Sequence, residues 1–382
     1  MADFSIRISP QVILGPDVVN RLSVMAGKQA ERCLLVADPV LYETKTIERV
    51  TSILEANGMQ SIVFDEIPEF PGSATADAAI NLAKGSRPQA ILGLGGVTTL
   101  SLARATAMAA REDTDLDSFI DGRAPAGPGI PFIAIPTSFR DPFLFTESFF
   151  ISDSRDRSIK LVNTQPDLTR LVLFDPSLHA SLSSKTSALA CLEMILQSLE
   201  GYLSIKASFF SDTLFEKSLG LSFQALDGFI QRPDDPGNRQ RACEAGFLSA
   251  YALAASSLGV GTALALSLNA RYNIPKSSLS TILLPYIMDS GIKTRVEKMA
   301  KVALLSGEET TGLSPSEAAG KAIDGVRQRL GALRVPTRLK DFELELDPMV
   351  SVAEMARNLD LCSYLPRTLS MEDLYDILKQ AY

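Results

Sequence analysis

The stretch that decides the fold is "AILGLGGVTTLSLARATAMAA", residues 90–110, where an apolar run meets a glycine cluster and continues as an apolar helix. The run "AILGLG" has the length and character of a strand buried on both faces. Glycines let a backbone approach a phosphate closely, and the helix that follows offers free N–H groups and the positive end of its dipole. A tight strand-to-helix turn without a ligand would have a similar sequence, so the motif alone leaves both interpretations open.

Apolar runs and amphipathic stretches alternate on both sides of this turn. Alternation of this kind predicts a parallel sheet covered by helices, and hence an α/β, Rossmann-like domain over residues 1–182. Further strands are predicted at "RCLLVAD" (32–38), "QSIVFDEI" (60–67), "PFIAIPTS" (131–138) and "RLVLFDP" (170–176), and helices at "TIERVTSILEANG" (46–58) and "ATADAAINLAKG" (74–85).

Beyond residue 182 the pattern changes, because only helix-length stretches follow. Several of them begin at Ser, Asn or Asp and stop near Gly or Pro, which predicts an all-α domain over residues 183–382. The helical stretches are 185–204, 211–230, 238–257, 314–333 and 370–382.

Composition excludes several classes of function. The chain has 382 residues and a net charge of −8 with interspersed acids and bases, so neither a nucleic acid nor an anionic membrane is an expected partner. Four well-separated cysteines and no signal peptide predict reduced thiols and a cytoplasmic location. The uncharged segment 247–270 is long enough to span a membrane, but Ser, Thr, Asn and a Gly-Val-Gly break favour a buried helical hairpin.

His179 is the single histidine of the chain, so no site with several histidine ligands can exist. It follows an Asp-Pro turn, which predicts a solvated loop position.

Six short motifs occur in an order that points to one family. They are "GGVT" (95–98), "PTS" (136–138), "DPSL" (175–178), "EGY" (200–202), "YNIPKSSLSTILLPYI" (272–287) and "LPR" (365–367). Over nearly the whole chain this series resembles the iron-containing (group III) alcohol dehydrogenase family, whose fold is shared with dehydroquinate synthase. The resemblance implies a dehydroquinate synthase-like fold, a small-molecule substrate at the interdomain cleft and a homodimer.

The resemblance also implies a pocket for NAD in the N-terminal domain. Asp38 would hold the adenosine ribose and disfavour a 2′-phosphate. The alternative, nearly as well supported by the sequence, is that Asp38 caps the loop before Pro39. The glycine turn would hold the pyrophosphate, Lys160 would lie near the nicotinamide ribose, and three hydroxyl residues would contact the adenine side and the nicotinamide half. The turn residues are Gly95, Gly96, Val97 and Thr98, and the hydroxyl residues are Thr137, Ser138 and Thr146.

Two departures from the family lie in this pocket. Ser101 replaces the aspartate that follows the family's glycine turn. The family's small "AGTGSE" loop is "FRDPFL" here, residues 139–144. Arg140, Pro142 and Phe143 therefore stand where the family's glycines make room for the dinucleotide.

The metal ligands implied by the resemblance are missing. The family binds a divalent cation with one aspartate and three histidines, and these positions are Glu193, Gln197, Thr262 and Lys276 here, with Leu266 at a further histidine beside the substrate. One carboxylate with Gln, Thr and Lys makes no site for zinc or iron, so no metal is predicted. An ion pair between Glu193 and Lys276 is the self-consistent arrangement for two buried charges.

Three functions remain open. The first is an NAD-linked, metal-independent oxidoreductase of a small alcohol, aldehyde or ketone, in which Lys276 and Glu193 are the catalytic residues. The second is a catalytically inactive family member with a nucleotide-binding or protein-interaction role. The third is a lyase or synthase of the dehydroquinate type that uses Glu193.

Overall fold

The computed structural model describes residues 10–22 and 31–382. The described chain divides into two compact units, one within Arg7–Leu182 and the other within Ser183–Tyr382. The first is α/β and the second is helical. This agrees with the fold class expected from the sequence.

The N-terminal unit is built on a parallel sheet. Its strands in the described residues are β1 (Gln11–Leu14), β2 (Arg32–Ala37), β3 (Gln60–Phe64), β4 (Ala90–Gly95), β5 (Phe132–Pro136) and β8 (Thr169–Phe174). They lie side by side in the order β1-β8-β5-β4-β2-β3. Every residue of β4 and β5 is buried, as the unbroken apolar runs of central parallel strands require.

Helices and 3-10 turns connect these strands. The helices are α1 (Thr46–Glu55), α2 (Ser73–Ser86), α3 (Val97–Ala109) and α4 (Leu116–Ile120), and the 3-10 helices are Val18–Arg21, Pro39–Tyr42 and Pro176–Ser181. α1 buries Ile47, Val50 and Leu54, one stripe of an amphipathic helix. α3 is buried almost all round, in keeping with its apolar sequence.

Two features of this unit were not foreseen from the sequence. β6 (Ser148–Ser152) and β7 (Ile159–Asn163) form a separate antiparallel pair, and the short strand β1 pairs with β8. The prediction of a solvated His179 was wrong: its side chain is 0% exposed, with its ring 5.6 Å from that of Phe139. The 3-10 helix after Asp175 turns the histidine inward, which the Asp-Pro signal alone does not reveal.

The second unit contains the remaining helices. They are α5 (Ser184–Leu203), α6 (Phe209–Gln231), α7 (Pro236–Leu253), α8 (Val260–Tyr272), α9 (Lys276–Leu305), α10 (Pro315–Leu333), α11 (Met349–Arg357) and α12 (Met371–Ala381), with 3-10 helices at Leu339–Phe342 and Asp360–Tyr364. Side chains at the N-caps of α5, α7 and α12 accept backbone N–H groups, so these starts follow ordinary capping rules.

The uncharged segment 247–270 is divided between α7 and α8. Among the helices described, none has the length and apolarity needed to cross a membrane. α9 contains Pro285 and is kinked at Arg295, whose φ of −144° and ψ of 54° are not helical.

A buried carboxylate, Asp175, joins the segments that follow β1 and β8, two neighbouring strands at one edge of the sheet. It is 0% exposed and accepts hydrogen bonds from the backbone N–H of Asp17 at 3.0 Å and of Val19 at 3.1 Å. It also accepts from the N–H of Ser177 at 2.9 Å and from the hydroxyl of Ser177 at 2.7 Å. One side chain therefore fixes the segment after β1 against the segment after β8.

Asp175→Ala should lower the free energy of unfolding by about 2–4 kcal/mol, because it leaves several buried donors without an acceptor. Asp175→Asn, which keeps one acceptor oxygen, should lower the free energy of unfolding by less. Urea unfolding measures both, with the exposed Asp113→Ala expected within about 0.5 kcal/mol of the wild type. Equal losses at positions 175 and 113 would contradict this role.

Candidate functional site

The carboxyl ends of three neighbouring strands bring Asp38, the glycine turn and Thr137 together. β4 lies between β2 and β5, so Asp38 at the end of β2 and Thr137 at the end of β5 flank the glycine turn. The N–H of Asp38 donates to the carbonyl of Leu94 at 2.9 Å, and the N–H of Thr137 donates to the carbonyl of Gly95 at 2.9 Å. This edge is where ligands bind in open parallel sheets.

The glycines of the turn have different physical roles. A Cβ on Gly95 would lie 2.7 Å from Cβ of Thr99, so close packing of strand and helix requires glycine there. A Cβ on Gly96, the N-cap of α3, would meet only Oγ of Ser138, at 3.9 Å. The space above Gly96 is therefore open, as a bound phosphate requires.

The donors around this open space suit an anion. The first turn of α3 leaves the N–H groups of Val97, Thr98 and Thr99 without helical partners. Ser138 is 5% exposed, and its hydroxyl has no hydrogen-bond partner within the described structure. An unpaired buried hydroxyl is costly unless a ligand completes it. The residues present therefore fit the pyrophosphate of a dinucleotide.

Asp38 acts as a cap, which is one of the two roles that its sequence left open. Its Oδ1 accepts the N–H of Val40 at 3.2 Å, so it caps the 3-10 helix that begins at Pro39. The cap leaves Oδ2 available for a ribose hydroxyl. Partial burial raises the pKa of Asp38 above its usual range, and the bond from Val40 opposes that rise.

The altered loop 139–144 buries both of its phenylalanine side chains, while Arg140 is half-buried. Phe143 is 6% exposed and packs edge-on against Phe150 with ring centroids 5.0 Å apart, while Phe139 is 1% exposed beside His179. Asp141 is also buried, and its Oδ1 accepts the N–H of Phe143 at 2.8 Å. The bulk of this loop therefore lies in the core of the unit.

Two of the predicted cofactor residues make local contacts. The hydroxyl of Thr146 donates to the carbonyls of Phe143 at 3.2 Å and Ser148 at 3.1 Å, so it closes the altered loop. Lys160 lies on β7, half-exposed, with its ammonium 3.8 Å from Asp156. The contacts described here do not join either residue to the glycine turn.

Arg104 is a buried charge in this unit that the sequence analysis missed. It is 1% exposed, donates to the carbonyl of Ser148 at 3.1 Å and lies over the ring of Phe132. Burial lowers the pKa of the guanidinium, and the charge of Asp141 opposes this effect. The available signal was a lone arginine in an otherwise uncharged helix.

A second cluster lies within the helical unit. Glu193 and Gln197 are four residues apart on α5 and share one face, while Lys276 is the first residue of α9. Nζ of Lys276 lies 2.8 Å from Oε1 of Glu193, with the two side chains 11% and 1% exposed. Nε2 of Gln197 donates to the same oxygen at 3.3 Å. The ion pair expected from the sequence is therefore present.

Thr262, the remaining position of the implied ligand set, belongs to a different arrangement. Its hydroxyl donates to Oε2 of Glu200 at 2.6 Å, and its N–H donates to Oε1 at 3.1 Å. The N–H of Gly261 donates to Oε1 as well, so Glu200 caps the N-terminus of α8. Burial raises the pKa of Glu200, and these hydrogen bonds partly offset the rise. The sequence motif contained Glu200 but did not reveal this partner.

These residues do not fit a divalent cation. A Lys276 ammonium lies against the one carboxylate that could bind it, and the Thr262 hydroxyl is committed to Glu200. Across residues 10–22 and 31–382, no group of three or more His, Cys, Asp and Glu side chains is arranged to hold a metal.

Sequence comparisons place the chain among known proteins. The profile "Iron-containing alcohol dehydrogenase" matches residues 9–176, and "Fe-containing alcohol dehydrogenase family, C-terminal" matches residues 187–382. Lactaldehyde reductase of Escherichia coli K12 is 23% identical over 92% of both proteins. NAD-dependent methanol dehydrogenase of Bacillus methanolicus is 21% identical over 98% of both.

Solved structures share the fold. A 1,3-propanediol oxidoreductase superposes with a TM-score of 0.93 at 21% identity, and an alcohol dehydrogenase from Oenococcus oeni with 0.93 at 20%, each over 100% of both chains. Since the two profile matches together cover most of the sequence, the chain belongs to the iron-containing alcohol dehydrogenase family.

Proposed function

We propose that this protein is an NAD-linked, metal-independent oxidoreductase that acts on a small alcohol, aldehyde or ketone. The observation that carries the proposal is the buried pair of Lys276 and Glu193, with 2.8 Å between Nζ and Oε1. By the family resemblance, Lys276, Glu193 and Gln197 stand at metal-ligand positions, and the Lys276 ammonium would supply a positive charge and a transferable proton there. Curated relatives of the chain include a lactaldehyde reductase and an NAD-dependent methanol dehydrogenase.

The N-terminal unit would hold NAD, which when bound supplies or accepts the hydride. Oδ2 of Asp38 would accept a ribose hydroxyl, and its negative charge would repel a 2′-phosphate. The N–H groups at the start of α3 and the unpaired Ser138 hydroxyl would bind the pyrophosphate. Thr137 and Thr146 would contact the adenine side and the nicotinamide half, with Lys160 near the nicotinamide ribose.

Lys276 would act on the oxygen of the substrate. Its ammonium binds a carbonyl oxygen and donates a proton as the carbon is reduced, and in the reverse direction the neutral amine takes the hydroxyl proton of an alcohol. Glu193 holds the ammonium in place through its Oε1, and Gln197 restrains that oxygen through its amide. General acid–base catalysis of this kind typically contributes about 10²–10⁴-fold to a rate.

A catalytically inactive family member is the second candidate. The specific observation in its favour is that the ion pair is already complete: Oε1 of Glu193 has two donors, and the Lys276 side chain is only 11% exposed. Such a protein would keep a nucleotide-binding or protein-interaction role. The experiments below separate the two candidates.

NADH should bind the purified protein more tightly than NADPH, because Asp38 would repel the extra phosphate. Asp38→Ala should weaken the binding of NADH about tenfold, the equivalent of one lost hydrogen bond. It should also narrow the difference in affinity between NADH and NADPH. Fluorescence titration measures both affinities, and the exposed Asp113→Ala serves as a control. Binding of neither cofactor would contradict the proposed function.

Lys276→Met should lower NADH-dependent reduction of carbonyl substrates by about 10²–10⁴-fold while leaving NADH affinity unchanged. Lys276→Arg, which keeps the charge but changes the donor geometry, should lose less of the reductase activity. Turnover of the wild type should be unaffected by a chelator. Loss of turnover on chelation, with recovery on adding zinc or iron, would contradict metal independence, and a wild type without turnover would support the inactive alternative.

The ion pair also predicts strongly coupled stability effects. Lys276→Met alone should cost about 3–5 kcal/mol, because it leaves the Glu193 carboxylate buried without its partner. Adding Glu193→Gln should restore most of that loss, since the new amide is uncharged and its oxygen can still accept from Gln197. Urea unfolding of the two single variants and the double variant measures the coupling. Additive losses would show that the two charges do not depend on each other.

A further inference from the structure

A pocket within the helical unit lies apart from both clusters described above. It contains about 480 Å³ of empty space, part of which is open to solvent. α5, α8, α9 and the segment before α12 all contribute to its walls. The apolar side chains of the walls are Leu203, Val260, Ile287, Leu365, Pro366 and Leu369.

The pocket is closed on one side by a segment that is fixed at both ends. Residues 365–369 follow the 3-10 helix Asp360–Tyr364, and the carbonyl of Tyr364 accepts the N–H of Ile205 at 3.0 Å and the hydroxyl of Ser204 at 3.2 Å. At the other end Ser370 caps α12, and Arg367 pairs with Asp373 at 2.8 Å. The pocket is therefore formed before any ligand arrives.

The one carboxylate that lines the pocket is already neutralised. Glu200 accepts the N–H groups of Gly261 and Thr262 and the hydroxyl of Thr262. A carboxylate with this many donors, at the positive end of a helix, does not call for a cationic ligand. The guanidinium of Arg367, which also lines the pocket, is likewise paired with a carboxylate.

The polar groups left on the wall are hydroxyls. Ser290 and Thr294 lie one turn apart on α9, and both are half-buried. The hydroxyl of Thr294 donates over 3.3 and 3.4 Å to helix carbonyls. These contacts use none of the lone pairs of Oγ1, so this oxygen can accept a hydrogen bond. Apolar walls with one or two placed polar groups are the usual composition of a small-molecule site.

We propose that this pocket binds a short, uncharged aliphatic molecule that carries one hydroxyl group. The alkyl chain packs against the six apolar side chains, and the hydroxyl bonds Ser290 or Thr294. Val260 is the first residue of α8, so the ligand contacts the helix end that Glu200 holds. The site is separate from the Lys276–Glu193 pair and does not depend on the proposed function.

Thermal unfolding with 1-hexanol, hexanoate and hexylammonium tests the proposal on the full chain without NADH. We expect a saturable rise of a few degrees in Tm with hexanol and none with the charged homologues. Lys276→Met should keep the full rise, which distinguishes this pocket from the proposed active site. Equal stabilisation by hexanoate or hexylammonium, or loss of the hexanol rise in Lys276→Met, would overturn the proposal.

Variants on α9 locate the ligand. Ser290→Leu fills the pocket and should abolish the rise, whereas the outward-facing Lys293→Leu, on a side chain that is 73% exposed, should leave it intact. Thr294→Val keeps the shape of the side chain but removes its hydroxyl, so it should weaken hexanol binding severalfold. This variant tests the site even if Ser290→Leu does not fold. An unchanged rise in Ser290→Leu, or unchanged hexanol affinity in Thr294→Val together with Ser290→Ala, would contradict the assignment.

Discussion

Helix α5 carries two buried carboxylates, and the arrangement of the helical unit depends on how each is neutralised. Glu193 is bound by the ammonium of Lys276 at the first residue of α9, at 2.8 Å. Glu200, two turns further on, is bound by the free N–H groups and hydroxyl at the start of α8. A buried carboxylate without such partners would be very costly. One helix therefore fixes the beginnings of two others.

The two carboxylates are neutralised in physically different ways. A helix N-terminus offers fixed dipoles and has no proton that a substrate could take. The ammonium of Lys276 carries a full charge and protons that can be transferred. The same helix thus provides a structural anchor at Glu200 and, at Glu193, the ion pair on which the proposed chemistry rests.

Much of the fold could be predicted from local sequence. The strand-to-helix turn at Gly95–Gly96 and the apolar runs of β2, β4, β5 and β8 reflect burial on both faces, and this pattern is visible in a single chain. The pair β6–β7 and the burial of His179 were not foreseen. The burial of His179 depends on contact with a distant segment, the ring of Phe139, which local patterns do not encode, whereas β6 and β7 pair with each other across a short connection.

The sequence contains one histidine, which excludes a site with several histidine ligands, and the family resemblance implies that Lys276 stands where the family has a ligand. Only the tertiary structure decided which partner each polar side chain takes. The family resemblance implied that Thr262 and Glu193 belong to one ligand set, yet the Thr262 hydroxyl is bound to Glu200. The reason is that a buried polar group is costly without a partner, and the available partners are set by how the helices pack.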